Sequence, residues 1–273
     1  MVQTFDDATW ESRVVSSGDL FAVACIGNLR GWAAGAGGAI AHTEDGGKTW
    51  AAETSHLTTT LRAIRFGDAS FGIVAGDGGA LAATHDGGAT WSSVASSTTS
   101  ALRGVAIAQS AGVAIVVGES GVVLRSTDGA KSFDRIAIDG ATDLDAVAVD
   151  DAAHLVLAVD RGGAIWKSED RGVTFTRETT TAHALHAVAI HESGAYAIVA
   201  GDDGAALARD ASGNWITIDT GTHATLHAAL VTETGSFDYL AGDRGTLLAR
   251  GRDGAITTVA TKTTADLQAL EDL

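Results

Sequence analysis

Leu61-Arg62-Ala63-Ile64-Arg65-Phe66, then Phe71-Gly72-Ile73-Val74-Ala75-Gly76, then Ala80-Leu81-Ala82-Ala83-Thr84, then Thr90-Trp91-Ser92-Ser93-Val94-Ala95 make up one unit of the sequence. Each piece is short and rich in Val, Ile, Ala or Thr, and glycine-bearing turns separate them, which reads as four successive β-strands. The turn Gly76-Asp77-Gly78-Gly79 joins the second piece to the third. Glycine supplies the positive φ that so tight a hairpin requires.

The unit repeats in both directions. Its opening phrase recurs as Leu20-Phe21-Ala22-Val23, Leu61-Arg62-Ala63-Ile64, Leu102-Arg103-Gly104-Val105, Leu144-Asp145-Ala146-Val147, Leu185-His186-Ala187-Val188 and Leu226-His227-Ala228-Ala229. A seventh start, Leu267-Gln268-Ala269-Leu270, follows, and the spacing is 41 residues, or 42 once. An aromatic closes five of the units (Trp50, Trp91, Phe133, Phe175, Trp215), and Ile256 takes that place in the sixth. The hairpin recurs as Gly35-Ala36-Gly37-Gly38, Gly118-Glu119-Ser120-Gly121, Asp160-Arg161-Gly162-Gly163, Gly201-Asp202-Asp203-Gly204 and Gly242-Asp243-Arg244-Gly245. Four strands in about 40 residues, repeated, describe the blade of a β-propeller.

The expected fold is therefore all-β: one propeller domain over residues 1–273, with complete blades starting near 20, 61, 102, 144, 185 and 226. Residues 4–16 resemble the end of a repeat and 267–273 the start of one. Together they would supply the outer and inner strands of a seventh blade but not its middle. A six-bladed ring is the expectation, and a ring with a reduced closing blade is the alternative.

Composition narrows the function. The chain carries 34 acidic and 18 basic residues, a formal charge of −16, and 45% of its 273 residues are hydrophobic. A surface of that sign repels phosphate backbones, which argues against nucleic acid as a partner. No apolar run approaches the ~18 residues of a membrane span, so no membrane insertion is expected. The single Cys25 allows neither an intrachain disulfide nor a multi-cysteine zinc site, and from its apolar strand it is expected to be a buried, inert thiol. The N-terminal residues show no signal-peptide pattern, which predicts a cytoplasmic protein, or an exported one whose leader has been removed. The chain has no proline, and nothing in the sequence explains this.

Between the third and fourth strands stands a motif: Thr43-Glu44-Asp45-Gly46-Gly47-Lys48-Thr49-Trp50, Thr84-His85-Asp86-Gly87-Gly88-Ala89-Thr90-Trp91, Ser126-Thr127-Asp128-Gly129-Ala130-Lys131-Ser132-Phe133 and Ser168-Glu169-Asp170-Arg171-Gly172-Val173-Thr174-Phe175. It resembles the Asp-box of sialidases, sortilin-type receptors and related propellers, and Asp210 and Asp253 mark eroded copies. Asp45, Asp86, Asp128 and Asp170 are expected to be structural, each carboxylate accepting backbone N–H groups across its turn. The fuller phrase, Gly31-Trp32-Ala33-Ala34-Gly35 with Gly38-Ala39-Ile40 and the first Asp-box, is similar to the photosystem II stability/assembly factor family and its bacterial relatives. That resemblance implies a propeller that holds partner proteins and catalyses nothing; the family's seven blades and its secretion signal are two points at which this sequence departs from it.

The inner strand of a blade begins nearest the axis, so the residue after each leading Leu should ring the channel mouth: Phe21, Arg62, Arg103, Asp145, His186, His227. Arg62, Arg103, Asp145, His186 and His227 are the candidate ligand-binding residues. Arg62 and Arg103 should form a positive sector that attracts a carboxylate. The hairpin acids Asp77, Glu119, Asp160, Asp202 and Asp243 should share that face. His183, His186, His223 and His227 sit at the starts of repeats five and six, where four imidazoles would suit a transition metal. Their spacing on loops does not define such a site, and neither metal nor cofactor is expected.

Sialidase chemistry lacks its sequence basis: the Arg-Ile-Pro-type entry motif of that family is missing, since the chain has no proline, and Tyr196 and Tyr239 occupy matching packing positions. The expected function is a non-catalytic scaffold for an unidentified protein partner. The alternative is a carbohydrate-binding or glycoside-hydrolysing propeller, for which Trp32, Trp166 and Trp10 would be the available sugar platforms.

Overall fold

The computed structural model describes residues 18–232 and 237–271 in full and the backbone of residues 2–4 and 10–12. Six four-stranded antiparallel sheets follow one another, each strand pairing with the next in sequence. Blade one comprises Leu20–Ile26, Arg30–Gly35, Ala39–Thr43 and Ala51–Thr54. Blade two comprises Leu61–Phe66, Gly72–Gly76, Leu81–Thr84 and Ser92–Ser93. The remaining inner strands, Leu102–Ala108, Leu144–Val149, Leu185–Ile190 and Leu226–Val231, begin at the leading leucines of the repeat. The fourth strand of blade two is shorter than its sequence suggests. Both of its residues are exposed.

Second strands are the opposite case. Gly72–Gly76, Val113–Gly118, Val156–Asp160 and Ala197–Gly201 are buried at every position, because each is covered on both faces by an adjacent sheet. Ile73 and Leu81 of blade two pack on Val116 and Leu124 of blade three. Burying one such side chain is worth about 1.5–3 kcal/mol, and this packing repeats around the ring. Between blades one and two the wedge is aromatic. Trp32 stacks on Phe66 with centroids 3.7 Å apart, and Phe66 meets the edge of Trp91 at 6.0 Å.

Each inner strand packs on the next, from Leu20–Ile26 against Leu61–Phe66 through to Leu185–Ile190 against Leu226–Val231. Among the described residues no packing of similar extent joins blade six back to blade one. At that boundary Leu267 and Leu270 lie on Ala228, Ala241 and Leu247 of blade six, and the Leu267 N–H donates to the Gly242 carbonyl at 3.0 Å. Glu271 then reaches Arg65 of blade two, with Nη1 to Oε1 at 2.6 Å. Residues 267–271 form no strand. Val2–Thr4 pairs with Trp10–Ser12 in a two-stranded sheet of its own. Six blades are complete, and among the described residues the repeat remnants build no four-stranded seventh. Cys25 is only partly buried, not enclosed as its apolar strand suggests.

The Asp-boxes tie the turn at the end opposite the hairpins. Asp86 Oδ1 accepts the Thr90 N–H at 2.9 Å and the Thr84 hydroxyl at 2.8 Å, while Oδ2 accepts the Thr90 hydroxyl at 2.6 Å. Asp45, Asp128 and Asp170 repeat this pattern with Thr49, Ser132 and Thr174. The Thr49 hydroxyl and N–H hold the Asp45 carboxyl down at about 2. Desolvation opposes the same shift at Asp170, yet the Thr174 bonds prevail and its pKa also falls to about 2. In the eroded copy Asp210 still accepts the Asn214 N–H at 2.8 Å.

Candidate functional site

The mouth residues owe their direction to one backbone irregularity used six times. Pairing of the first two strands slips between Leu20 and Ala22, Leu61 and Ala63, Leu102 and Gly104, Leu144 and Ala146, Leu185 and Ala187, and Leu226 and Ala228. The residue left unpaired is Phe21, Arg62, Arg103, Asp145, His186 or His227. A β-bulge bends its strand and re-aims a side chain, and here it turns the five polar ones towards their own blade's hairpin.

Contacts follow that geometry. Arg62 grips Asp77 with Nε to Oδ1 at 2.5 Å and Nη2 to Oδ2 at 2.9 Å. Arg103 Nη2 donates to Glu119 at 2.5 Å. Arg161 Nε lies 3.0 Å from Asp145 Oδ2. His186 Nε2 is 2.9 Å from Asp202, and His227 Nε2 is 2.6 Å from Asp243. Five blades thus carry an intrablade pair of one basic and one acidic side chain between bulge and hairpin. Blade one carries Phe21 instead, and the Arg62 guanidinium lies 5.5 Å from its ring centroid.

The pairs are linked across blades at Asp145. Its side chain is 9% exposed and is also approached by Arg103 Nε at 3.5 Å and His186 Nδ1 at 2.7 Å. Burial raises the Asp145 pKa, but the His186 and Arg161 hydrogen bonds outweigh that and hold it below the ordinary value. Both nitrogens of His186 face carboxylates, and both can donate only when the ring is protonated. The bond to Asp145 leads in raising its pKa, against the desolvation that lowers it.

Several expectations need revision. Asp160 does not join the mouth acids. It is 1% exposed and accepts the Ala164 N–H and the Trp166 indole N–H, both at 2.9 Å. Asp160 stands where the other blades have the glycine before the hairpin, so the rim residue of blade four is Arg161, with reversed charge. Nor do Arg62 and Arg103 form an unneutralised positive sector, since Asp77 and Glu119 already hold them. Trp32 and Trp166 are 0% and 3% exposed, which removes both as sugar platforms; the Trp10 side chain lies outside the described residues. The four histidines do not form one cluster. His186 and His227 have ring centroids 6.2 Å apart, whereas the exposed His223 pairs with Asp203 at 2.7 Å and His183 is exposed on its loop. Among the described residues no group of three or more His, Cys, Asp or Glu side chains is arranged to hold a metal.

Arg161 is the mouth residue that sequence reasoning missed. Its signal was present: opposite charges recur 15 or 16 positions apart, as 62/77, 103/119, 145/161, 186/202 and 227/243.

A family model described as photosynthesis system II assembly factor YCF48 matches residues 52–223. No curated protein matches the sequence. Among solved structures, YCF48 bound to a D1 peptide is 20% identical with a TM-score of 0.72, covering 94% of this chain and 86% of that one. YCF48 from Cyanidioschyzon merolae is 14% identical with a TM-score of 0.70, covering 93% of this chain and 88% of that one. An ancestral GH74 enzyme is 15% identical with a TM-score of 0.70, covering 89% of this chain and 38% of its own. At these identities the structures show a shared propeller fold.

Proposed function

The chain belongs to the photosynthesis system II assembly factor YCF48 family, and from that premise we propose that it is a non-catalytic scaffold holding a partner protein at its channel mouth. The observation that carries this assignment is the mouth itself. Five blades bring charged pairs to one rim, on backbones that are otherwise near copies, and the side chains differ from blade to blade. A repeated framework with varied side chains on one face suits recognition more than shared structure. That a YCF48 structure was solved with a D1 peptide supports a protein segment as the ligand.

Two layers of charge describe the partner. The inner residues Arg62, Arg103, His186 and His227 are basic, and their hairpin partners Asp77, Glu119, Asp202 and Asp243 are acidic. Only blade four reverses the order, with Asp145 inside and Arg161, 44% exposed, outside. A segment with a carboxylate at its tip and basic residues around it matches this arrangement.

Glycoside hydrolysis is the second reading, because the GH74 likeness shares the fold. It would require two carboxylates facing one sugar bond. The five mouth carboxylates are instead bound to guanidinium or imidazole groups, and both described candidate tryptophan platforms are buried, which favours the scaffold.

Site-specific photo-cross-linking tests the assignment. With p-benzoylphenylalanine at position 161, a discrete protein adduct should form in the source cells, and none should form from position 135 on an outer strand. Adducts from position 135 alone would move the docking surface away from the mouth.

A further inference from the structure

His186 lies between two blades and uses both ring nitrogens to do so. Nδ1 takes Asp145 of blade four and Nε2 takes Asp202 of blade five. The groups around it are identifiable on every side. Asp145 also carries Arg161 and Arg103. Asp202 accepts the Thr225 hydroxyl of blade six at 3.2 Å. The ring of His227, itself held by Asp243, stands 6.2 Å away. The His186 side chain is 18% exposed, so a proton can reach it from the mouth.

We propose that His186 makes recognition at the mouth proton-dependent: charged, it completes the basic inner layer that receives a partner's carboxylate, and neutral, it leaves Asp145 and Asp202 to repel that carboxylate. This rests on the mouth being the docking face. A neutral imidazole retains one N–H, so it can keep only one of its two carboxylates; the other then faces a ring lone pair. One bond is lost and the inner layer loses one positive charge. The inner layer holds two histidines, the side-chain type whose charge ordinarily changes between about pH 5 and 8. Of the two, His186 alone bridges two carboxylates. Its raised pKa puts the change above the ordinary histidine value of about 6.5.

The preferred partner therefore changes with pH. Below neutrality the mouth favours a segment with a central carboxylate. Above the transition it favours one with a central cation. At a separation of several ångströms and with solvent screening, one unit charge shifts such a preference by about fivefold.

Two measurements on the full chain separate this proposal from the docking assignment. The first follows the His186 ring signals by NMR as a function of pH, assigned by comparison with His186→Gln. A midpoint above 6.5 is expected, and one below it overturns the proton-dependence whatever the mouth binds. The second uses two fluorescein-labelled probe peptides, Lys-Lys-Glu-Lys-Lys and Lys-Lys-Lys-Lys-Lys. The preference for the glutamate probe should fall about fivefold between pH 5.5 and 8.5 in the native protein. In His186→Gln most of that change should be lost, and His227→Gln should keep most of it. An equal pH response in native protein and His186→Gln overturns the proposal. If neither probe binds at either pH while His186 titrates as expected, the docking assignment fails and takes this proposal with it.

Discussion

Trp215 of blade five donates its indole N–H to Glu178 of blade four at 3.0 Å. The Asp-box aromatic of one blade is thereby fastened to the outer strand of the blade before it. Trp91 approaches Glu53 in the same way between blades two and one, at 3.4 Å. The two clips differ in charge. Glu178 also pairs with Arg209 at 3.1 Å, and these side chains are 14% and 10% exposed. Glu53 faces His42 at 3.4 Å, where burial lowers the imidazole pKa and raises the carboxyl's.

Removing Glu178 should therefore be the more damaging change. Glu178→Ala leaves a nearly buried guanidinium without its carboxylate, which should cost about 3 kcal/mol. Glu53→Ala removes a long hydrogen bond beside a largely neutral ring, which should cost about 1 kcal/mol. Denaturant unfolding of both variants checks the order, and equal losses would contradict the account.

The Asp-box carboxylates make the fold acid-sensitive in a defined window. Their folded pKa values lie below the unfolded value of about 3.9, at about 2 for Asp45 and Asp170. Their contribution is therefore complete above pH 4 and is lost as pH falls towards 2. Asp86→Ala should lower stability by about 1–2 kcal/mol near neutral pH and flatten the slope between pH 4 and 2. Thermal melts across that range provide the check.

Ser120 adopts φ +59° at the hairpin position where blade two has Gly78 at +69°. A side chain in the left-handed region costs about 1–2 kcal/mol, and a Cβ at the equivalent Gly78 would meet nothing within 4 Å. The strain is thus intrinsic to the backbone and not a product of crowding. Ser120→Gly should raise stability by about 0.5–1 kcal/mol once the extra freedom of unfolded glycine is counted. A lowered melting temperature would show that the serine side chain contributes more than it strains.

Asp145 should control the titration of His186. In Asp145→Asn the imidazolium loses its nearest carboxylate, so its pKa should fall towards the ordinary value of about 6.5. The stability that protonated His186 contributes is fully present below pH 6.5 and declines as pH rises through its folded pKa. Native protein should show that decline and His186→Gln should not. NMR titration and melts between pH 6 and 9 measure the two effects.

The blades were legible because the repeat is carried by hydrophobic residues and glycines, whose positions fix strands and turns locally. The mouth was legible as a set of positions, since the residue after each leading leucine lands there. Its pairings were less so, because they depend on a bulge that turns each side chain towards a hairpin 15 or 16 residues on. Blade four misled for a physical reason. Asp160 replaces a glycine and turns inward to hold Trp166, so the charged rim position moves one residue along, to Arg161. Burial of Trp32 could not be read from blade one alone, because the ring that covers it, Phe66, comes from blade two.

The central claim is that the channel mouth, and not overall charge or another face, holds the partner. Quantitative capture of the cross-linked partner at low salt tests it with two double variants, Arg62→Ala with Arg103→Ala and Arg135→Ala with Arg177→Ala. The first pair lies at the mouth and the second in the outer strands Asp134–Ile136 and Thr176–Thr180. Both remove two positive charges, so a difference between them reports position alone. The account predicts that capture falls about tenfold or more in the mouth variant, chiefly through slower association, and stays near native in the outer-strand variant. Equal loss from both, or loss from neither, would contradict it.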